Sequence, residues 1–359
     1  MSETGAFAFT VHPRARLRED LARAWRPLGL VPERVYDTAL RRLPLPPVTM
    51  AGVQIGGERV GHVVLVPFGA RHLLAHVDEG RRRVGRAVDR AVALGADVVG
   101  LGALTATVTA GGLTLRERTD IAVTNGNAFT AAIVEDQIRM LLPHVSSRAG
   151  VSSRTGRPHV AIVGATGSVG TAVTKLLARD SGGARLTLVA RTEGRLTALA
   201  AAVADDVDVD IAQTIDAVRD ADLVVLLTAS ADALLGPEHL ATGAVVLDAT
   251  QPRNTSPSLA SARPDVLVVD GGIVSIPSLR LTGGEIGLPD GRSYACFAET
   301  AILALSGHSG HFSLGNPTLE QVDAIRERAR SLAHLGFHAA SPTSFGRPVA
   351  LEAHAAVIV

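Results

Sequence analysis

Residues 160–163, Val-Ala-Ile-Val, run straight into Gly164-Ala165-Thr166-Gly167-Ser168-Val169-Gly170, and helical text follows without a break. A short apolar strand that turns on glycines and re-enters as a helix restricts the fold severely. The glycines suit a tight turn and close backbone approach, and a helix crossing back to a parallel strand is right-handed in nearly all known cases. The pattern then continues: strands are expected at 159–163, 185–189, 223–227, 244–247 and 265–269, and helices at 168–179 and 192–204. This progression predicts a doubly wound nucleotide-binding domain.

Upstream, Val63-Val64-Leu65-Val66 lies in a strand-like stretch 59–68, and Val77, Val84, Val88 and Val92 recur at helical spacing within 71–94. A strand at 97–101 and a helix at 125–142 follow, so a second α/β layer precedes the glycine loop. The expected class is α/β, a Rossmann-like doubly wound domain plus an N-terminal α/β substrate domain. The expected division is 1–50 as an extension ending in Pro44, Pro46 and Pro47, and 51–150 as the substrate domain. Residues 151–275 form the nucleotide-binding domain and 276–359 a C-terminal segment. The Ser-, Arg- and Gly-rich stretch 146–158 reads as a linker.

Charge narrows the partners. Thirty-five Lys and Arg balance thirty-five Asp and Glu, so no global basic field favours nucleic acid. Apolar runs are strand-length, which predicts no membrane span, and the charged N-terminus, with Arg14, Arg16, Arg18, Glu19 and Asp20, is unlike a secretory signal. A cytoplasmic location is expected. One cysteine excludes an internal disulfide and a thiolate metal site, and the twelve histidines show no zinc-type spacing, so no metal is expected.

Pyrophosphate binding needs a backbone without side chains at the loop and free amides at the next helix start. Gly164, Gly167 and Gly170 meet the first need, though as Gly-x-x-Gly-x-x-Gly and not Gly-x-Gly-x-x-Gly. The second strand of the domain ends at Arg191-Thr192, with Arg195 one turn on, where an acid would select the ribose hydroxyls of NAD. Arginine suits a 2′-phosphate, so NADPH is the expected cofactor. Thr228, which follows the strand 223–227, is a further expected cofactor contact.

Cys296 stands in Tyr294-Ala295-Cys296-Phe297-Ala298-Glu299, after the turn text Pro289-Asp290-Gly291. Ser293 is expected to cap a helix over 294–305, placing the thiol in its first turn, where free amides and the dipole would lower its pKa. A thiolate there can capture an acyl group, and a nicotinamide can deliver hydride to the resulting carbonyl. Against this stands the ordinary role of a free cysteine as a small buried hydrophobe. Thr105, Asn127 and Thr130, polar in apolar surroundings, either hold a carbonyl or serve as caps and core hydroxyls. Arg82, Arg86 and Arg90 line one helical face that could meet an acidic partner or simply be solvated. Glu299, one turn beyond Cys296, either orients the site or makes a helix salt bridge.

Read together, the glycine loop, Arg191 and Ala295-Cys296-Phe297-Ala298-Glu299 resemble the long-chain acyl-carrier-protein reductases, best known from cyanobacteria, which form fatty aldehydes. The resemblance runs from about residue 93 to residue 337. It includes Leu101-Gly102-Ala103-Leu104-Thr105, Gly126-Asn127-Ala128-Phe129-Thr130-Ala131, Gly271-Gly272-Ile273-Val274 and Phe312-Ser313-Leu314-Gly315. It implies Cys296 as the acylated nucleophile, NADPH on Gly164, Thr166, Gly167, Ser168, Val169 and Arg191, and an acyl tail lying between the two domains. It also implies acyl-carrier protein or acyl-CoA as partner, with an aldehyde-consuming enzyme as a further one. Where the family pattern reads Gly-Trp-His-Thr-Asn-Phe-Ser, this chain has Gly307-His308-Ser309-Gly310-His311-Phe312-Ser313. His308, His311 or water must then move the proton. Two other readings stand beside this one: a shikimate-dehydrogenase-like ketone reductase, which needs a substrate-domain lysine although Lys175 is the only lysine, and a non-catalytic NADPH-binding protein.

Overall fold

The structure, a computed structural model, describes residues 6–13, 27, 30–146, 157–180, 184–230 and 234–351. Most of the expected linker 146–158 and the charged stretch 14–20 lie outside the described residues. The chain forms two compact units. The first gathers Met1–Gly126, Ile276–Gly315 and Glu327–Phe337, and the second Asn127–Ser275, Asn316–Arg326 and His338–Val359.

The first unit is built on a six-stranded mixed sheet. Its strands are β1 (Phe7–Val11), β2 (Val48–Ile55), β3 (Glu58–Leu65), β4 (Val98–Leu101), β5 (Ala122–Thr124) and the later strand Arg280–Thr282. Arg280–Thr282 lies at one edge, followed across the sheet by β2, β3, β1, β4 and β5. Gly56 and Gly57, both at positive φ (65° and 87°), join β2 to β3, as a two-residue hairpin turn requires. β1 is parallel to β3 and β4. It stands inside the stretch that sequence reading left as an extension, and its Phe7, Ala8 and Phe9 are buried. The expected helix 71–94 is broken at His76 into Ala70–Ala75 and Val77–Ala93. Val84, Ala87, Val88 and Ala91 of the longer piece enter the core beside Val64, Val66 and Val99. Full burial of each such valine contributes about 1.5–3 kcal/mol before entropy is counted.

The second unit holds six parallel strands: β6 (His159–Val163), β7 (Arg185–Val189), β8 (Val209–Ala212), β9 (Leu223–Leu226), β10 (Val245–Asp248) and β11 (Leu267–Asp270). Their order, β11-β10-β9-β6-β7-β8, reverses between β6 and β9, the switch point at which doubly wound sheets bind dinucleotides. Central strands β6, β9 and β10 are buried along their whole length, which explains their unbroken apolar text. β8 is a half-exposed edge strand and escaped the sequence reading because Val209-Asp210-Ile211-Ala212 carries no such run. The fold is therefore α/β with a Rossmann-like nucleotide-binding unit. No helix among the described residues is long and apolar enough to cross a membrane.

Candidate active site

In the second unit, β6 ends at the glycine loop. The Gly164 and Ala165 amides donate to Val189 O at 2.8 and 3.2 Å, and the Gly167 amide donates to Gly164 O at 2.9 Å, curling the loop onto the end of β7. Gly164 has φ +89°, and a Cβ there would meet Leu227 O at 2.7 Å. A Cβ on Gly170 would stand 2.3 Å from Gly164 O. Both positions therefore require glycine for packing alone. Gly167 is the N-cap of the helix Ser168–Arg179 and offers no side-chain cap, so the first amides of that helix meet no capping side chain. Asn127, the first residue of the helix Asn127–Ser146, donates from Nδ2 to Ser168 Oγ at 2.9 Å and so stands with this loop.

Arg191 and Thr192 are exposed at the end of β7, and Arg195, also exposed, donates from its guanidinium to Thr166 O. On the other side of the loop, Thr228 donates from Oγ1 to Asn254 Oδ1. The Asn254 amide donates in turn to Thr250 Oγ1 at 2.9 Å. Thr250 and Thr255 both close on the buried Asp248 carboxylate at the end of β10, through four hydrogen bonds of 2.6 to 3.1 Å. Asp270, at the end of β11, accepts from Arg253, from Thr343 Oγ1 and from the amides of Phe345 and Gly346. Burial pushes its carboxyl up, but Arg253 and the Gly346 amide outweigh that and hold it below the usual range. The cradle thus has a glycine floor, a cationic rim and a threonine wall. These fit a dinucleotide.

In the first unit, Cys296 is the second residue of the helix Ala295–Leu305. The first-turn position is as expected, but the cap is not. Tyr294 is the N-cap and makes no capping side-chain bond, while Ser293 belongs to the preceding strand and donates from Oγ to Tyr294 O at 3.2 Å. The expected activation is overturned as well. The residue keeps partial exposure, yet burial, reinforced by the Glu299 carboxylate, pushes the thiol up to about 12 against bonds from the Phe297 and Cys296 amides. Desolvation of the thiolate outweighs the helix start. Phe297 anchors the helix by edge-on contacts with Phe7 and Phe9, at ring distances of 5.4 and 5.2 Å.

The other expected residues divide. Thr105 donates from Oγ1 to Gly102 O at 2.7 Å and lies 3.0 Å from Thr10 Oγ1, fully buried, so it is a core hydroxyl. His311 accepts the Val123 amide on Nδ1 at 3.1 Å and reaches Arg116 O with Nε2 at 2.9 Å. Both of its nitrogens hold backbone, which removes it from proton transfer. His308 differs: its Nε2 is buried without a hydrogen-bond partner, its ring stands edge-on to Phe312 at 5.3 Å, and burial, then the Arg328 charge, keep its pKa low and the ring neutral. Arg82 and Arg86 lean on Glu79, and Arg90 donates to Thr49, so the arginine face is partly neutralised. Among the described residues no cluster of His, Cys, Asp and Glu could hold a metal.

Sequence reasoning set Glu299 beside Cys296 but missed the turn that packs on both. Gly126, at φ +76°, is pressed against it: a Cβ there would lie 2.3 Å from both Cys296 Cα and Cys296 Cβ. Glu299, fully buried, accepts a hydrogen bond from Thr124 Oγ1 across 175 positions of chain. Only the Asn-Gly dipeptide text near Gly126 hinted at a turn, and nothing in it pointed to the cysteine.

Residues 159–269 match the family described as semialdehyde dehydrogenase, NAD binding domain. The aminotransferase PigE of Serratia sp. is 28% identical over 295 residues, covering 80% of this chain and 33% of that protein. The long-chain acyl-[acyl-carrier-protein] reductase of Synechococcus elongatus is 28% identical over 260 residues, covering 68% of this chain and 73% of that protein. The chain thus spans a third of the one relative and nearly three quarters of the other. Among solved structures, AibC overlays with a TM-score of 0.29 at 22% identity, covering 50% of this chain and 47% of that one. The protein is similar to NAD(P)-dependent oxidoreductases and carries their nucleotide-binding domain.

Proposed function

We propose that the protein reduces an acyl thioester, presented on acyl-carrier protein or coenzyme A, to an aldehyde with NADPH, through a thioester on Cys296. The observation that carries this reading is the seating of Cys296 in the first turn of a buried helix, against a glycine that has no room for a Cβ. A cysteine that merely filled space would not need its position specified so tightly. The likeness to an acyl-carrier-protein reductase over 68% of the chain supports the same chemistry.

Sγ attacks the thioester carbonyl carbon, and the carrier thiol leaves with the proton that Cys296 gives up. NADPH, when bound, supplies the hydride that reduces the acyl carbon. Collapse of the resulting alkoxide then breaks the carbon–sulfur bond and releases aldehyde, and the departing sulfur takes a proton from solvent to restore the thiol. Gly164, Gly167 and Gly170 give the backbone its close approach to the pyrophosphate, and the amides of Ser168 and Val169 offer donors to it. Arg191 and Arg195 would pair with the 2′-phosphate, while Thr166, Thr192 and Thr228 would line the cradle. His308, neutral and with an unpartnered Nε2, would serve as a proton acceptor.

Intact mass spectrometry after incubation with acyl thioesters and no NADPH tests the proposal. The expected result is one acyl adduct on the parent protein and none on Cys296→Ala, with NADPH discharging the adduct as aldehyde. Full aldehyde production by Cys296→Ala would refute it.

A further inference from the structure

Three residues from a different part of the sequence converge on the cysteine helix. Thr124 closes β5 and donates from Oγ1 to Glu299 Oε1, one helical turn beyond Cys296. The same hydroxyl oxygen accepts the Gly126 amide at 3.3 Å. Asn125, between them, is buried and held on every side: its Nδ2 donates to Gly111 O at 3.0 Å and Gly315 O at 2.9 Å, its Oδ1 accepts from Ser313 Oγ at 2.7 Å, and its amide donates to Ser313 O at 2.9 Å. The turn is thereby fixed to both the sheet and the cysteine helix, and its third residue, Gly126, is the one whose backbone lies on Cys296. The helix is fixed from another face by Phe297 between Phe7 and Phe9, and within it Thr300 Oγ1 donates to Cys296 O at 3.0 Å.

We propose that the turn Thr124-Asn125-Gly126 and Glu299 form a clamp that sets the position and accessibility of the Cys296 sulfur, with Thr124 and Glu299 as positioning residues. The inference rests on the reading of Cys296 as the nucleophile. Glu299 has two separable effects. As an acceptor it holds Thr124, and with it the turn. As a negative charge it opposes ionisation of the thiol beside it. A hydroxyl-bearing residue at 124 and an acceptor at 299 are enough for the first effect, whereas only a carboxylate produces the second.

The test is the alkylation rate of Cys296 in the folded, ligand-free protein, with iodoacetamide as the small probe and N-ethylmaleimide as the bulky one, between pH 8 and 10. Thr124→Val, which removes the hydroxyl, is expected to raise both rates and to raise the bulky-to-small ratio at least about threefold, because the turn is released. Thr124→Ser is expected to restore the parent ratio. Glu299→Gln keeps an acceptor and loses the charge, so both rates should rise by a common factor, with the ratio unchanged. A folded Thr124→Val protein with the parent's rates and ratio overturns the clamp. If Thr124→Val does not fold, Thr124→Ala, which also removes the hydroxyl, decides: the parent's rates and ratio in that variant overturn the proposal. These rates need no acyl substrate. Absence of an acyl adduct alongside the expected rates counts against the acyl reading alone, and an acyl adduct alongside unchanged rates counts against the clamp alone.

Discussion

Cys296 in the free protein should be a poor nucleophile until its ligands arrive. Its thiol is pushed up to about 12 from an ordinary 9.0, first by burial and then by Glu299. Three pH units change the thiolate fraction at any pH below 9 by about a thousandfold. The thiolate is the reacting species, so at pH 7.5 iodoacetamide should label the folded protein about a thousand times more slowly than the same chain unfolded in urea. Across pH 7 to 10 the folded rate should climb about tenfold per unit with no plateau, whereas the unfolded rate levels off above 9. Quenched time points read by intact mass follow both. Because the folded pKa is the higher, the protonated thiol contributes its full stability below pH 9, and that contribution is lost as pH rises toward 12. A plateau below pH 9 in the folded protein, or a rate equal to that of the unfolded chain, would refute the reasoning. Slow labelling by itself does not separate a catalytic cysteine from a packing one; acyl transfer does.

Arg191→Ala is expected to weaken NADPH binding by about ten- to a hundredfold, the scale of a lost charge-assisted phosphate contact, and to leave NADH binding nearly unchanged. Fluorescence titration with both cofactors checks it, and equal losses would contradict the 2′-phosphate role. Gly170→Ala places a Cβ 2.3 Å from Gly164 O and 2.9 Å from Ala165 Cα. Backbone must shift to admit it, so calorimetry should show Tm lower by several degrees, together with loss of NADPH binding. His308, neutral in the fold with its pKa held low by burial and Arg328, contributes stability that is present above its unfolded value of 6.5 and lost as pH falls below it. His308→Gln should flatten the fall in stability between pH 7 and 5, measured by urea unfolding at each pH, and an unchanged slope would count against the buried neutral imidazole.

The nucleotide half was legible because its signals are local. Buried parallel strands write themselves as apolar runs, as at Val160 to Val163 and at Leu223 to Leu226. Gly164 and Gly170 are glycines for reasons found within a few residues of chain or on the adjoining loop. Edge strand β8 and buried β1 were missed, one for lack of a pattern and the other because five residues of strand were read with the charged text that follows.

Sequence alone determined the order of strands and helices around the glycine loop, the absence of an acid at Arg191 and the place of Cys296 in a first helical turn, all of which depend on neighbours in the chain. Tertiary structure alone decided the state of the thiol, the seat of Gly126 upon it, the bond from Thr124 to Glu299 and the commitment of both nitrogens of His311. Desolvation and close contact depend on which distant segments fill the space around an atom, and those segments come here from positions more than 150 residues away.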